Sequence, residues 1–146
     1  MDWVCISKIE KRAQGTRRKA QGKTRKGAPT GKFQDLKVWQ RGKDLAVSIY
    51  KVTGGGSFYK DYGIRDQIRR ATVSIPSNIA EGDELGTDKQ AVRFFYMAKG
   101  SCAEVLTQAI IAYEIGYLVE EDFLYIEKEC RSLSGMLTRL IQSRSS

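Results

Sequence analysis

The sequence predicts an all-α protein: an antiparallel, up-down-up-down four-helix bundle preceded by a disordered basic arm. Apolar residues recur at intervals of three and four in four separate segments, which is the period of a helix face. The links between these segments are short, and no segment of the chain shows the alternating apolar and polar pattern of a strand. With 146 residues, 41% of them apolar, the chain has room for one domain, residues 33–146, and an appendage, residues 1–32.

Charge is distributed unevenly along the chain. Residues 1–32 contain ten lysines and arginines and two acids, and therefore carry a net charge of +8. The whole chain also has a net charge of +8, so residues 33–146 are neutral. The arm is rich in glycine and poor in apolar groups, and we expect it to be disordered. Its candidate nucleic-acid-binding residues are Arg17, Arg18, Lys19, Lys23, Arg25 and Lys26. The alternatives are a solubilising tail and an organelle transit peptide.

The first predicted helix begins at Asp35 as N-cap and ends at the triple glycine 54–56, a flexible connection. The second begins between Asp61 and Ile64 and continues to about Glu84. Its core stripe comprises Ile64, Ile68, Ala71, Ile75 and Ile79. Pro76 lies inside this helix and removes one backbone hydrogen bond. A kink is therefore expected there, and a break into two helices is the alternative.

The third and longest predicted helix covers Asp88 to Tyr117, with Thr87 and Gln90 spaced as a capping box. It is apolar on more than one side, so we expect it either to be central in the bundle or to contact another subunit. The fourth helix begins among the acids at 120–122, and residues 142–146 are expected to fray. Its core positions are Phe123, Ile126, Cys130, Leu133, Leu137 and Leu140.

The three cysteines lack the spacing of a metal site. Cys102 and Cys130 fall on apolar helix faces, and Cys5 lies in the arm. We interpret them as small buried hydrophobic residues in a reducing compartment. No apolar run is long enough to span a membrane.

The absence of histidine argues against catalysis. Di-iron centres in four-helix bundles, general acid and base pairs with histidine, and most zinc sites all use this residue. We therefore predict a protein that is not an enzyme, with no metal and no cofactor.

Polar residues on the second and third helices form a candidate cluster. They could bind a ligand, but hydrogen bonding between helices is the favoured interpretation. The predicted structural network consists of Ser74, Ser77, Asn78, Glu81, Ser101 and Glu104.

Three arginines of the second helix are further candidates for contacts with phosphate: Arg65, Arg69 and Arg70. The spacing of Asp61 before Arg65 and of Asp66 before Arg70 predicts ion pairs along the helix, which would leave a solvated face. Arg69 has no evident partner in the sequence.

Several motifs carry a family resemblance: FQDLKVWQRGKDLAVSIY, YGIRDQIRRATVSIPSNIAEG, RFFYMAKGSCAEV and IGYL. They resemble the four-helix-bundle proteins encoded within intervening sequences of bacterial 23S ribosomal RNA genes, over about residues 33–141. The resemblance implies a cytoplasmic bacterial protein that forms a homo-oligomer, such as a pentameric barrel. It also implies a relation in shape to the basic accessory proteins of diversity-generating retroelements, which bind nucleic acid and a reverse transcriptase. The family has no settled biochemical activity.

Together these features predict a non-enzymatic homo-oligomer that binds RNA, or DNA, through the arm and other basic residues. The competing hypothesis is a structural or protein-interaction module without affinity for nucleic acid.

Overall fold

The computed structural model describes residues 31–145, which begin with a 3₁₀ turn at Phe33–Asp35. Five α-helices follow: α1 (Lys37–Val52), α2 (Gly56–Lys60), α3 (Tyr62–Glu84), α4 (Asp88–Glu114) and α5 (Glu120–Ser145). The four long helices, α1, α3, α4 and α5, pack antiparallel and confirm the predicted bundle.

Each long helix lies between two neighbours around one core. α3 packs on α4, α4 on α5, and α1 on both α3 and α5. The interior is filled by the residues that the three-and-four spacing selects, because that spacing places them on one face of each helix. Fully buried examples are Leu45, Ile49, Ile68, Ile75, Ile79, Leu133 and Leu137.

The start of α1 differs from the prediction. Asp35 lies in the 3₁₀ turn, and the N-cap is Leu36, which makes no side-chain capping bond. The turn is closed by the Leu36 amide, which donates to the Phe33 carbonyl at 3.0 Å. The Phe33 ring packs edge-on against Trp39 at 5.3 Å. The apolar contact between this turn and the first turn of α1 explains why the predicted aspartate cap is wrong.

The link after α1 is ordered by a short helix that was not predicted. Gly56 opens α2 with a positive φ of 63°, a conformation that glycine adopts without steric cost. Two residues later the Phe58 side chain is only 2% exposed, with its ring 5.7 Å from that of Tyr117. Burial of this ring holds the segment against the bundle.

Helix α3 continues through Pro76 as a single helix, so the alternative of a break is wrong. Helix α1 approaches α3 closely at this point. A Cβ atom added to Gly42 would lie 3.2 Å from Ile75 Cγ2 and 3.6 Å from Pro76 Cδ. The missing side chain of Gly42 thus leaves space for Ile75 and Pro76 of α3.

The predicted cap of α4 is confirmed, because Thr87 Oγ1 accepts from the Gln90 amide at 3.3 Å. The Gln90 side chain accepts from the Thr87 hydroxyl at 3.2 Å. The helix ends at Glu114, earlier than predicted. Gly116 reverses the chain with a φ of 84°.

Helix α5 extends to Ser145, so the predicted fraying of residues 142–145 is wrong. Arg144 explains the difference. Its guanidinium lies 3.4 Å from Asp83 near the end of α3 and 3.3 Å from Asp88 at the start of α4. A second ion pair, between Arg41 on α1 and Glu129 on α5 at 3.0 Å, joins the first and last helices of the bundle.

Cys102 and Cys130 are buried free thiols, as predicted. Burial raises the pKa of each to about 12. The reactive thiolate is therefore scarce at neutral pH, and these residues act as small core hydrophobes. Cys5 lies outside the described residues.

Two further points concern the limits of the bundle. Within residues 31–145, no helix is long and apolar enough to cross a membrane. The predicted disorder of the arm and its six candidate cations concern residues that precede the described part of the chain.

Candidate nucleic-acid interface

The three candidate arginines lie in the first half of α3. They are at the end of the bundle that contains the C-terminus of α1 and the short helix α2. Several contacts fix the position of the Arg65 guanidinium. Its Nε donates to Asp66 at 2.9 Å and its Nη1 donates to the Tyr59 carbonyl at 3.0 Å. The hydrogen bond to Asp66 raises the pKa of the Arg65 guanidinium. The Arg65 side chain is therefore charged and oriented.

Arg69 does have partners, contrary to the sequence-based expectation. Its Nε donates to Thr53 Oγ1 at 2.8 Å, and its Nη2 lies 3.3 Å from the Tyr50 carbonyl. Thr53 is fully buried at the end of α1. Arg69 thus ties α3 to the C-terminal end of α1, where a cation also suits the helix dipole.

Arg70 is exposed, and no ion pair of this residue occurs among residues 31–145. It borders a shallow depression with Tyr50, Asp66, Arg69 and Val73. Of the three arginines, it is the one whose guanidinium is free to take an anion.

The predicted ion pairs along α3 are wrong. Asp61 caps α3 by accepting from the Ile64 amide at 3.5 Å, and it accepts from the Tyr117 hydroxyl at 2.9 Å. Arg65 pairs with its neighbour Asp66 instead. The cap and the tyrosine are tertiary features, which helical spacing alone does not reveal.

Three exposed tyrosines stand beside these arginines. The Arg65 guanidinium lies 4.9 Å from the ring centre of Tyr59 and 4.6 Å from that of Tyr62. The Arg69 guanidinium lies 4.5 Å from that of Tyr50. We name Tyr50, Tyr59, Tyr62, Arg65, Arg69 and Arg70 the tyrosine–arginine surface. Sequence analysis missed its tyrosines, although the run YKDYGIR places two of them next to Arg65.

The structure brings part of the predicted polar network together. The hydroxyls of Ser74 and Ser101 are 2.5 Å apart and connect α3 to α4. Asn78 Nδ2 donates to the Ser74 carbonyl at 2.8 Å, which is a bond within α3. These contacts have the interhelical and local character expected of a structural cluster.

The remaining members of the network lie apart from this contact. Ser77, Glu81 and Glu104 are exposed. Glu104 accepts from Gln108 Nε2 at 3.4 Å, and Gln108 also reaches Gln67 on α3 at 3.5 Å. The predicted network is therefore one serine contact between α3 and α4, one bond within α3, and side chains exposed on the surface.

An apolar groove adjoins the tyrosine–arginine surface. It runs between α1 and α3 and is lined mainly by Ala46, Val47, Tyr50, Val73 and Pro76. A second set of exposed apolar residues occupies the outer side of α4: Tyr96, Met97, Ile110, Ile111 and Tyr113. Since α4 packs mainly on α3 and α5, these exposed apolar residues lie on the side of α4 that faces away from both helices.

Metal-binding chemistry receives no support from the described residues. The chain contains no histidine. Within residues 31–145, the cysteines, aspartates and glutamates do not form a group of three that could hold a metal ion.

Comparison with known proteins identifies the relatives of this bundle. No curated protein sequence matches the chain significantly. A solved structure of a protein of unknown function from Bacteroides thetaiotaomicron, assigned to the S23 ribosomal protein family, is similar in fold. Its TM-score is 0.66 at 20% sequence identity, and the match covers 71% of this chain and 97% of that one.

A family model supplies the stronger result. The model of the 23S rRNA-intervening sequence protein matches residues 34–139, which include all four long helices for most of their length. This agrees with the resemblance carried by the sequence motifs. The chain belongs to the 23S rRNA-intervening sequence protein family.

Proposed function

We propose that this protein is a non-enzymatic homo-oligomer that binds RNA, or DNA, through its basic arm and the arginines of α3. One observation carries the proposal: the whole net charge of +8 lies in residues 1–32, attached to a neutral bundle. Family membership supports a cytoplasmic role linked to 23S rRNA intervening sequences or to mobile elements. By analogy with retroelement accessory proteins, a reverse transcriptase is a candidate partner.

The physical basis is the release of counterions from the phosphate backbone. Each lysine or arginine that neutralises a phosphate frees condensed cations, which gives an affinity independent of sequence and sensitive to salt. The glycines of the arm allow the backbone to follow a phosphate chain. On the bundle, Arg70 is exposed and has no ion-pair partner among residues 31–145, so its guanidinium can contact an anion.

Exposed apolar residues support the homo-oligomer. The groove between α1 and α3 and the outer side of α4 leave apolar side chains in contact with water, a situation typical of interaction sites. A pentamer would display five arms, and several weak arms on one particle increase avidity without any new contact. Light scattering on the full-length protein is expected to give the mass of an oligomer.

A test of nucleic-acid binding compares the full-length protein with residues 33–146. A labelled fragment of 23S rRNA is titrated into each at about 50 mM salt, and fluorescence anisotropy reports binding. We expect the full-length protein to bind and the truncated protein to lose most of the affinity. Circular dichroism confirms that the truncated bundle is folded. Equal affinity of the two proteins would remove the arm from the proposal.

The competing function is a structural or protein-interaction module without nucleic-acid affinity. The observation in its favour is the apolar groove beside a neutral bundle. An oligomer that binds no RNA in the same titration would support this alternative.

A further inference from the structure

We propose that the tyrosine–arginine surface binds the unpaired bases of single-stranded RNA, which stack on its tyrosine rings while Arg70, the exposed arginine, contacts a phosphate. This inference rests on the proposed function and adds a class of ligand to it. The arm by itself offers little for bases to stack on, because Trp3 is its one aromatic residue. The bundle supplies the rings that the arm lacks.

The first argument is the preorganised geometry. The Arg65 guanidinium lies against the rings of Tyr59 and Tyr62, at 4.9 Å and 4.6 Å from their centres, and hydrogen bonds hold it in place. Arg69 lies 4.5 Å from the centre of the Tyr50 ring and is fixed by Thr53. Side chains held in this way lose little conformational entropy when a ligand arrives.

The second argument is the exposure that remains with the arginines in place. Tyr50 and Tyr59 are each 47% exposed, and Tyr62 is 65% exposed. A tyrosine that contributed only to the core would be more fully buried. A base stacks on any exposed aromatic face regardless of its identity, and this contact typically contributes about 1–3 kcal/mol.

The third argument is local charge. Residues 50–70 contain five lysines and arginines and two aspartates, within a bundle whose net charge is zero. This segment therefore has a local net charge of +3 beside the tyrosines. Arginine presents a planar fork that suits phosphate oxygens, so backbone and bases can be bound side by side at this end of the bundle.

The geometry favours a single strand over a duplex. Bases inside an A-form helix are stacked on one another, and only their edges reach the grooves. Flat exposed rings gain nothing from such a ligand. Duplex RNA would engage the arm through its phosphates, but not these tyrosines.

The experiment uses the full-length protein and two probes of equal length, a fluorescein-labelled oligouridylate and an RNA duplex. The variants are Tyr59→Ala and Tyr62→Ala. The matched control is Leu124→Ala, since Leu124 is an apolar residue 50% exposed on α5 and belongs neither to the apolar groove nor to the exposed set on α4. We expect each surface variant to weaken single-strand binding by about fivefold or more. Duplex affinity and the control are expected to stay unchanged, and Tyr62→Phe is expected to retain binding.

Each other outcome has a defined meaning. Single-strand affinity equal to that of the control overturns the stacking inference, while salt-sensitive binding of both probes leaves the proposed function intact. Failure of the full-length protein to bind either probe overturns both. A change of oligomeric mass in Tyr62→Ala with unchanged RNA affinity identifies the surface as a protein contact and contradicts the inference. If Tyr59→Ala unfolds, Tyr62→Ala decides, because its ring is the most exposed of the three.

Discussion

Replacement of Gly82 by alanine is expected to destabilise the bundle by about 1–2 kcal/mol. A Cβ atom at this position of α3 would lie 2.8 Å from Phe95 Cε1 and 3.1 Å from the Ala91 carbonyl oxygen. The Phe95 side chain is fully buried, and a backbone carbonyl cannot turn away, so α3 and α4 must separate. Overpacking of this kind costs about 1–3 kcal/mol, which exceeds the gain of up to about 1 kcal/mol from the helix propensity of alanine.

Thermal unfolding followed by circular dichroism measures this effect, and Gly100→Ala is the matched control. A methyl group added to Gly100 on α4 would meet no other atom within 4 Å, so alanine there should stabilise the protein by about 0.5–1 kcal/mol. The melting temperature is expected to fall for Gly82→Ala, by about 5 °C or more, and to rise for Gly100→Ala. An unchanged or higher melting temperature for Gly82→Ala would contradict the close approach of α3 and α4.

Neutralisation of the arm is expected to produce the largest effect on RNA binding. The variant replaces Arg17, Arg18, Lys19, Lys23, Arg25 and Lys26 with glutamine. The affinity for RNA at about 50 mM salt should fall by about 10²-fold or more, because each lost phosphate contact also loses its counterion release. Fluorescence anisotropy with a labelled single-stranded RNA measures the change.

The control for this variant removes the same charge from the bundle. Glutamine replaces six cations of α4 and α5: Lys89, Arg93, Lys99, Lys128, Arg131 and Arg139. Its net charge equals that of the arm variant, so a simple effect of total charge would weaken binding equally in both. We expect the control to retain most of its affinity, and an equal loss would refute a specific role of the arm.

The architecture could be predicted because each long helix carries its own periodic signal. The stripe through Ile68, Ile75 and Ile79 identifies the buried face of α3 without knowledge of any neighbour, and all three side chains are fully buried. The Thr87 cap is likewise a local signal. Features encoded within one or two helical turns were therefore accessible from the sequence.

The candidate site was less accessible because its contacts join distant segments. Arg69 is bound by Thr53 and Tyr50 across the link between α1 and α3, and spacing along α3 gives no hint of this. The burial of Phe58 orders a link whose glycines predicted flexibility. Arg144 similarly fixes the end of α5 by reaching Asp83, 61 residues earlier in the chain. In each case a tertiary contact outweighs the local preference.

The central claim, that the charged arm makes this bundle a nucleic-acid-binding protein, is tested most directly by the salt dependence of RNA binding. The observed binding constant of the full-length protein is measured between about 50 mM and 200 mM salt. We predict a linear fall of its logarithm with the logarithm of salt concentration, and a loss of about 10²-fold or more over this range. A binding constant that does not change with salt, or no binding at the lowest salt, would contradict the claim.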